Sequence, residues 1–509
     1  MKNEQPPINK NLSDKFRQRL GVVLYVGAFT AVVALVCLHF INLPKAPYYT
    51  DEILTIFASR GVLQHGLPSF PTGLFYPNSL PNNYLVSLSM IIFGDNQLGH
   101  RTVSFVFSIL CLLLTYLLSR KFFSRGISLA AVLLLALSQL ETTYALSARM
   151  YVQLQFLSLF FVYSFYRGFW EGNKKFMWLS FVSLVFGIYT NLLMLLFIPP
   201  VLLYLTVQRK KWWRDKRLTL GLGVAALLVS LLFLLPNFLS VPGDWANAGV
   251  GNVVGFSLEH FWQYLRVFIL EFPLGFIFIL FATFLMVSQK EAREKSGYLL
   301  LNLTIPFLII ALTASHFRDR YNLILLPLYL ILGVSGAQLW LNFLLTRGSQ
   351  RSVTALKVLA IIVPIILIVT PGYIYRVGTG STSRDYELAS VYLTQHLASG
   401  DGLWCDELPI TMMYAGRCDS IIAQRYQQGT FTGFANEKDV RFGTRILDSL
   451  PKIQEALKNH DRVWFIDTHY KPGDPIIAGQ PEVVSYLEKN LELKFFDPRN
   501  YTAVFLYEE

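Results

Sequence analysis

Long apolar runs separated by short basic clusters constrain this chain more than any other feature. The runs are Gly21–Leu43, Thr102–Leu118, Ile127–Leu140, Tyr151–Tyr166, Phe176–Tyr189, Leu192–Val207, Leu218–Leu239, Val267–Val287, Tyr298–Thr313, Asn322–Leu345 and Leu356–Tyr375. They read as about eleven membrane spans. Lys15, Arg17 and Arg19 precede the first run; Arg120, Lys121 and Arg125, then Arg167, Lys174 and Lys175, then Arg209–Arg217, then Lys290, Arg293 and Lys295 fill alternate connections. Cytoplasmic connections collect Lys and Arg, so this parity predicts a cytoplasmic N-terminus and an extracytoplasmic segment from residue 376 to 509. The first run is too long for the apolar core of a cleavable signal peptide.

Composition agrees with this reading. The 509 residues are 53% hydrophobic and only 15% charged, against about 25% in soluble domains. The formal charge of +11 sits in the inside clusters and makes no continuous nucleic-acid surface, so no nucleic-acid partner is expected. The expected fold is a polytopic α-helical membrane domain over residues 1–375, followed by an α/β domain over 376–509. In that tail, Leu403–Cys405, Ser420–Ala423, Val463–Asp467 and Ala503–Tyr507 alternate as short strands. Arg384–Leu397, Arg445–Lys458 and Pro481–Asn490 carry helical periodicity. Neither a phosphate-binding glycine loop nor a nucleophile elbow is present. Cys37 and Cys111 read as packing residues within spans, whereas Cys405 and Cys418 lie in the tail at a separation that permits a disulfide without requiring it.

The first external loop, residues 44–100, holds the clearest chemical signal. Asp51 and Glu52 are adjacent carboxylates just beyond the first span, opening a helix-like stretch to Gly61. Helix capping by Thr50 or Asp51 is the plain explanation. Chemistry is the other, because a carboxylate at a membrane surface is costly unless solvated or paired. Farther along the loop, Tyr84–Phe93 is too short to span and reads as an interfacial helix. Arg101, Arg149 and Arg320 stand at external ends of spans, against the orientation rule. Each alone reads as a snorkelling side chain. Together they suit recognition of a lipid phosphate, with a carboxylate as general base.

Several segments in order resemble the GT-C membrane glycosyltransferases, in the branch of protein O-mannosyltransferases and the lipid A aminoarabinose transferase. They are Tyr48-Tyr49-Thr50-Asp51-Glu52, Arg101, Tyr144 to Tyr151 with Arg149, Gly187-Ile188-Tyr189-Thr190-Asn191, and Arg320-Tyr321 followed by Pro327. The resemblance spans about residues 20–345. It implies inverting transfer from a polyprenyl-phosphate sugar to an extracytoplasmic acceptor (a protein, glycolipid or cell-wall glycan). Asp51 would be the base, and Glu52 would orient the site or pair with Arg101. Arg149 and Arg320 would hold the donor phosphate, with Arg101, Tyr151, Tyr189 and Tyr321 as further substrate-binding residues. Asn191 stands where many relatives carry His. Some relatives bind a metal near the site, and Glu52, His65 and His260 are the residues that would contribute here. A multi-span lipid or sugar transporter is the competing reading; it calls for acidic residues or broken helices near mid-depth and some internal repeat, whereas these spans are nearly free of acidic residues at mid-depth and the charges lie at one face.

Overall fold

The computed structural model describes residues 10–45, 47–48, 50–208, 216–238, 258–288, 290–314, 316–347, 386–422, 434–435, 438–473, 475–476, 481–498 and 501–508. The expected last span Leu356–Tyr375 and most of the basic loop after Val207 lie outside the described residues.

The helical part contains α1 (Lys10–Asn42), α2 (Thr50–His65), α3 (Leu80–Phe93), α4 (Gln97–Phe122), α5 (Arg125–Leu137), α6 (Gln139–Ala145), α7 (Tyr151–Phe165), α8 (Lys174–Thr190), α9 (Ile198–Gln208), α10 (Lys216–Phe238), α11 (Leu258–Glu271), α12 (Gly275–Ser288), α13 (Lys290–Thr313) and α14 (Leu326–Arg347). Among the described residues, Tyr25–Asn42, Gln97–Phe122 and Ser296–Thr313 are long and apolar enough to cross a membrane, and α5 with α6 would add a fourth as a broken span.

The interruptions in three of the expected spans have a readable reason. The run at Ile127–Leu140 bends by 61° between α5 and α6. Ser138 makes the break: its amide closes the end of α5 on Leu135 and its hydroxyl caps α6 by accepting from the Glu141 amide. The run at Leu192–Val207 starts as a 3-10 segment, Leu192–Phe197, and becomes α-helical only at Ile198. Pro199 and Pro200 lack the amides an α-ladder through this point would need, and they fit the first turn of α9 instead. Val267–Val287 is split by a turn at Phe272–Leu274, where Pro273 ends α11.

The bundle packs α4 against α5 and α7, α7 against α8, and α12 against α14. The last contact is close because Gly336 has no side chain: a Cβ there would lie 2.1 Å from the Phe278 carbonyl oxygen. Outward faces stay apolar. On α3, Tyr84, Leu88, Ile91 and Ile92 form one exposed stripe at helical spacing, which fits the interfacial role read from the sequence.

The C-terminal part is an eight-stranded mixed sheet in the order β3-β4-β5-β2-β1-β6-β8-β7. Its strands are β1 (Gly402–Cys405), β2 (Ser420–Ile422), β3 (Phe434–Ala435), β4 (Lys438–Asp439), β5 (Arg445–Leu447), β6 (Arg462–Asp467), β7 (Glu492–Asp497) and β8 (Thr502–Glu508). The central four, β5-β2-β1-β6, run parallel. Strand residues alternate between two covered faces. Leu403, Ile421, Ile466 and Val504 pack under α15 (Glu387–His396), and Trp404, Phe465 and Phe505 pack under α17 (Leu450–Leu457) and α18 (Pro481–Asn490). Cys405 and Cys418 are joined by a disulfide.

The sheet domain rests on the first loop through α16 (Leu408–Tyr414) and the turn before β5. Ile410 shares an apolar cluster with Ile53, Phe57 and Phe70, and the Phe442 ring meets Phe57 edge-on at 4.9 Å. Thr72 donates its hydroxyl to the Val440 carbonyl and its amide to the Arg441 carbonyl at 3.3 Å. α2 is therefore held between the bundle and the sheet domain.

Candidate active site

Asp51 and Glu52 occupy the first turn of α2, where the helix dipole favours negative charge. The helix already includes Thr50, so Asp51 stands inside it. Adjacent residues on a helix point about 100° apart, and the two carboxylates enter different surroundings.

Glu52 is fully buried. Arg101 grips it with two parallel bonds, Nε to Oε1 at 2.7 Å and Nη2 to Oε2 at 3.0 Å. The Ala148 amide also donates to Oε1 at 2.7 Å. The remaining Arg101 donors reach the carbonyls of Leu43 and Pro47, each at 3.1 Å, and the guanidinium covers the Tyr48 ring at 4.7 Å. One ion pair thus ties the end of α1, the start of α2, α4 and the segment before α7. Arg101, expected among the substrate-binding residues, has no solvent exposure here and faces Glu52 instead of an open cleft.

Asp51 remains open, its side chain 35% exposed. Arg320 Nη1 donates to Oδ2 at 2.6 Å, and Arg149 Nη2 lies 3.9 Å from the same oxygen. Arg149 Nη1 donates to the Asp51 carbonyl at 2.8 Å and to the Thr55 hydroxyl at 2.9 Å. Both guanidiniums lie against the Tyr151 ring, at 5.5 Å for Arg149 and 5.2 Å for Arg320. Burial pushes the Asp51 carboxyl up, but Arg149, Arg320 and the more distant Arg318 together hold it below the usual carboxylate range. Arg320 Nε is buried and has no hydrogen-bond partner among the described residues.

The segment carrying Arg320 is fixed by a second contact. Tyr144 donates its hydroxyl to Asp319 Oδ1 at 3.0 Å, and the same oxygen accepts from the Arg320 amide at 2.7 Å. The Tyr144 ring also meets Tyr151 edge-on at 5.4 Å. Tyr321 lies near enough to Tyr151, Arg320 and Asp51 to sense their charge, and burial pushes its hydroxyl pKa up.

The structure thus brings Asp51, Arg149, Tyr151, Arg320 and Tyr321 together. Tyr189 is not with them: its hydroxyl donates to the Leu228 carbonyl on α10 at 2.7 Å. Asn191 accepts from the Leu193 amide at 3.0 Å, capping the 3-10 segment, which gives this residue a local structural use. Thr55 was missed in the sequence, although one helical turn separates it from Asp51 and places it on the same face. The hydrogen bond of Tyr144 to Asp319 was also missed, since 175 residues separate the two.

A metal does not fit the residues named for it. Glu52 is committed to Arg101 and the Ala148 amide, His65 is exposed at the end of α2, and His260 Nδ1 faces the Ala314 carbonyl at 2.8 Å. These three residues do not form a common donor set.

Residues 79–234 match the family described as dolichyl-phosphate-mannose-protein mannosyltransferase. An undecaprenyl phosphate-alpha-4-amino-4-deoxy-L-arabinose arabinosyl transferase of Pseudomonas fluorescens is 25% identical over 287 residues, 52% of this chain and 51% of that protein. The chain therefore spans about half the length of the curated relative it matches. The crystal structure of ArnT from Cupriavidus metallidurans bound to undecaprenyl phosphate superposes with a TM-score of 0.64 at 14% identity, covering 94% of this chain and 97% of that one. The Archaeoglobus fulgidus oligosaccharyltransferase superposes with a TM-score of 0.55 at 13% identity, covering 87% and 69%. At such identities the superpositions speak for the fold. In sequence and in fold, the chain resembles the GT-C membrane glycosyltransferases of the protein mannosyltransferase and aminoarabinose transferase branch.

Proposed function

We propose that this chain is an inverting glycosyltransferase that moves a sugar from a polyprenyl-phosphate donor to an extracytoplasmic acceptor. The observation that carries the proposal is the open Asp51 carboxylate, held by two arginines that share one tyrosine face. A depressed pKa keeps Asp51 ionised at neutral pH, as a proton acceptor must be. The acceptor hydroxyl gives its proton to Asp51 Oδ while its oxygen bonds to the anomeric carbon. The bond from that carbon to the phosphate oxygen breaks on the opposite face, and its electron pair stays on the leaving phosphate. Arg149 and Arg320 stabilise the charge that grows there.

In the donor-free arrangement the same arginines neutralise Asp51. A donor phosphate competes for them, and each contact it takes from Asp51 raises the basicity of the carboxylate when the substrate is present. Glu52 and Arg101 act as a positioning pair that fixes the first turn of α2. The buried disulfide and the basic-loop parity favour an extracytoplasmic sheet domain in a cell membrane, with about eleven spans and the N-terminus inside.

The test is direct. The purified chain is incubated with undecaprenyl phosphate carrying labelled hexose or pentose, together with a cell-envelope extract, and the products are read by mass spectrometry. Labelled glycan and free polyprenyl phosphate are expected. If no donor is consumed, and deletion of the gene leaves envelope glycans and glycolipids unchanged, the proposal fails.

A further inference from the structure

A second cluster of ionisable side chains lies far along the chain from Asp51. β1 and β6 are parallel neighbours in register, with Cys405 opposite Ile466. The next residue on each strand is an aspartate, so Asp406 and Asp467 emerge side by side at the carboxyl ends. His469 follows two residues after Asp467. One ligand atom from each of the three lies within 4.8 Å of the other two. Both aspartates are buried, at 7% and 2% exposure, whereas the imidazole is one-third exposed.

The cluster is pre-organised. Thr468 donates its amide to Asp406 Oδ1 at 3.0 Å and its hydroxyl to Oδ2 at 3.0 Å. His469 Nδ1 lies 3.2 Å from Asp406 Oδ2, and the His469 amide donates to Asp467 Oδ1 at 2.7 Å.

Topology supplies an independent argument. From β1 the chain passes through α16 to β2 on one side of the sheet; after β6 it passes through α18 to β7 and β8 on the other. Connections that diverge from two adjacent parallel strands open a crevice at their carboxyl ends, the place where open α/β sheets bind ligands. The three side chains stand at that end of the two strands.

We propose that Asp406, Asp467 and His469 form a divalent-cation site. Two carboxylates this close repel one another, and a shared cation converts that repulsion into ligation. Bonds of about 2.0–2.2 Å set neighbouring ligand atoms roughly 3–3.5 Å apart, a spacing His469 Nδ1 and Asp406 Oδ2 already have at 3.2 Å, with an Asp467 oxygen within 4.8 Å of both. The imidazole disfavours Ca²⁺ and Mg²⁺, which prefer oxygen, and suits Mn²⁺ or Zn²⁺ with water in the remaining positions. On binding, the metal takes the place of the imidazole proton or of its hydrogen bond to Asp406. Because Asp406 immediately precedes the α16 segment that rests on α2, the ion would stiffen the contact between the sheet domain and the first loop.

The experiment uses the full-length chain in detergent, stripped with EDTA and titrated with Mn²⁺ and Zn²⁺ by paramagnetic resonance and calorimetry. One saturable ion per chain and a raised melting temperature are expected. His469→Ala and Asp406→Asn should each weaken binding at least tenfold with the disulfide intact, while His260→Ala should bind as the unaltered chain does. Asp406→Asn keeps the size of the side chain and an acceptor for Thr468, so it serves if His469→Ala does not fold. No saturable binding of either ion, or unchanged binding in both cluster variants, would overturn the proposal. So would loss of binding in His260→Ala alone.

Discussion

The two carboxylates at the start of α2 make ion pairs of the same chemistry with opposite consequences. On one side, Glu52 and Arg101 are sealed from solvent and held by each other and by the Leu43 and Pro47 carbonyls and the Ala148 amide. On the other, Asp51 keeps a third of its side chain exposed and meets its cations through single bonds or longer contacts. A sealed pair has its desolvation already compensated, and nothing can displace it without stranding a buried charge. An open pair can exchange partners. Neighbouring positions in sequence therefore separate into a sealed brace and an open carboxylate whose partners can be exchanged, according to which side of one helix faces the protein.

The comparison can be broken by substitution, beginning with the largest effect. Asp51→Asn preserves size but cannot take a proton, so transfer should fall by about 10²–10⁴-fold, with thermal stability nearly unchanged. Transfer near the original rate in folded Asp51→Asn protein would remove the residue from the mechanism. Arg101→Ala strands Glu52 and should cost about 3–5 kcal/mol of stability, read as a lower melting temperature and a poorer yield of folded protein. A well-folded Arg101→Ala protein would show that the sealed pair is no brace.

Arg320→Ala and Arg149→Ala come next. Each should lose about 1.5–3 kcal/mol of donor-phosphate interaction, or roughly ten- to hundredfold in kcat/KM; Arg320→Ala should change stability little, whereas Arg149→Ala also loses the buried bonds to the Asp51 carbonyl and Thr55 hydroxyl and should lower the melting temperature. Unchanged donor kinetics in both would place the phosphate elsewhere. The smallest effect is on pH dependence. In the unaltered chain the arginines hold the Asp51 pKa down, so the acid limb of kcat/KM should lie below the ordinary carboxylate range. Arg320→Ala leaves the upward push of burial and removes a downward one, so the limb should move to higher pH. Movement to lower pH, or none, would mean that another group titrates there.

Much of this arrangement is legible in the sequence because its signals are local. Apolar length marks the helices, short apolar runs mark β1, β6 and β8, which are covered on both faces, and Pro481–Asn490 is a helix with the bounds read from its periodicity. The interruptions at Ser138 and Pro273 also have local signals, but an apolar run hides them when only length is weighed. The helical periodicity of Arg445–Lys458 extends over Arg445–Leu447, which is a strand, since pairing with β2 outweighs the short segment's own preference. β7 was not among the apolar strand segments, because Glu492 and Lys494 interrupt any continuous apolar run there. Long-range choices were less legible. The resemblance offered the Glu52–Arg101 pair as one of two roles for Glu52, and the structure has that pair; no local signal says that Arg320 takes Asp51 Oδ2, because that depends on how distant helices meet.

The exposed stripe on α3 has a consequence for where the chemistry happens. Tyr84, Leu88, Ile91 and Ile92 gain free energy only when immersed in acyl chains, at about 1.5–3 kcal/mol for each aliphatic side chain fully covered. α3 packs on α2, so this partitioning sets the height of the whole loop above the lipid. Asp51 would then ride at a level fixed by the bilayer surface, like an instrument on a float, and under the proposed function a polyprenyl phosphate anchored in that same surface would present its reacting carbon at a matching depth. Thinning the bilayer would lower both together. Alignment between base and donor would therefore survive changes in membrane thickness that tilt the long helices around them.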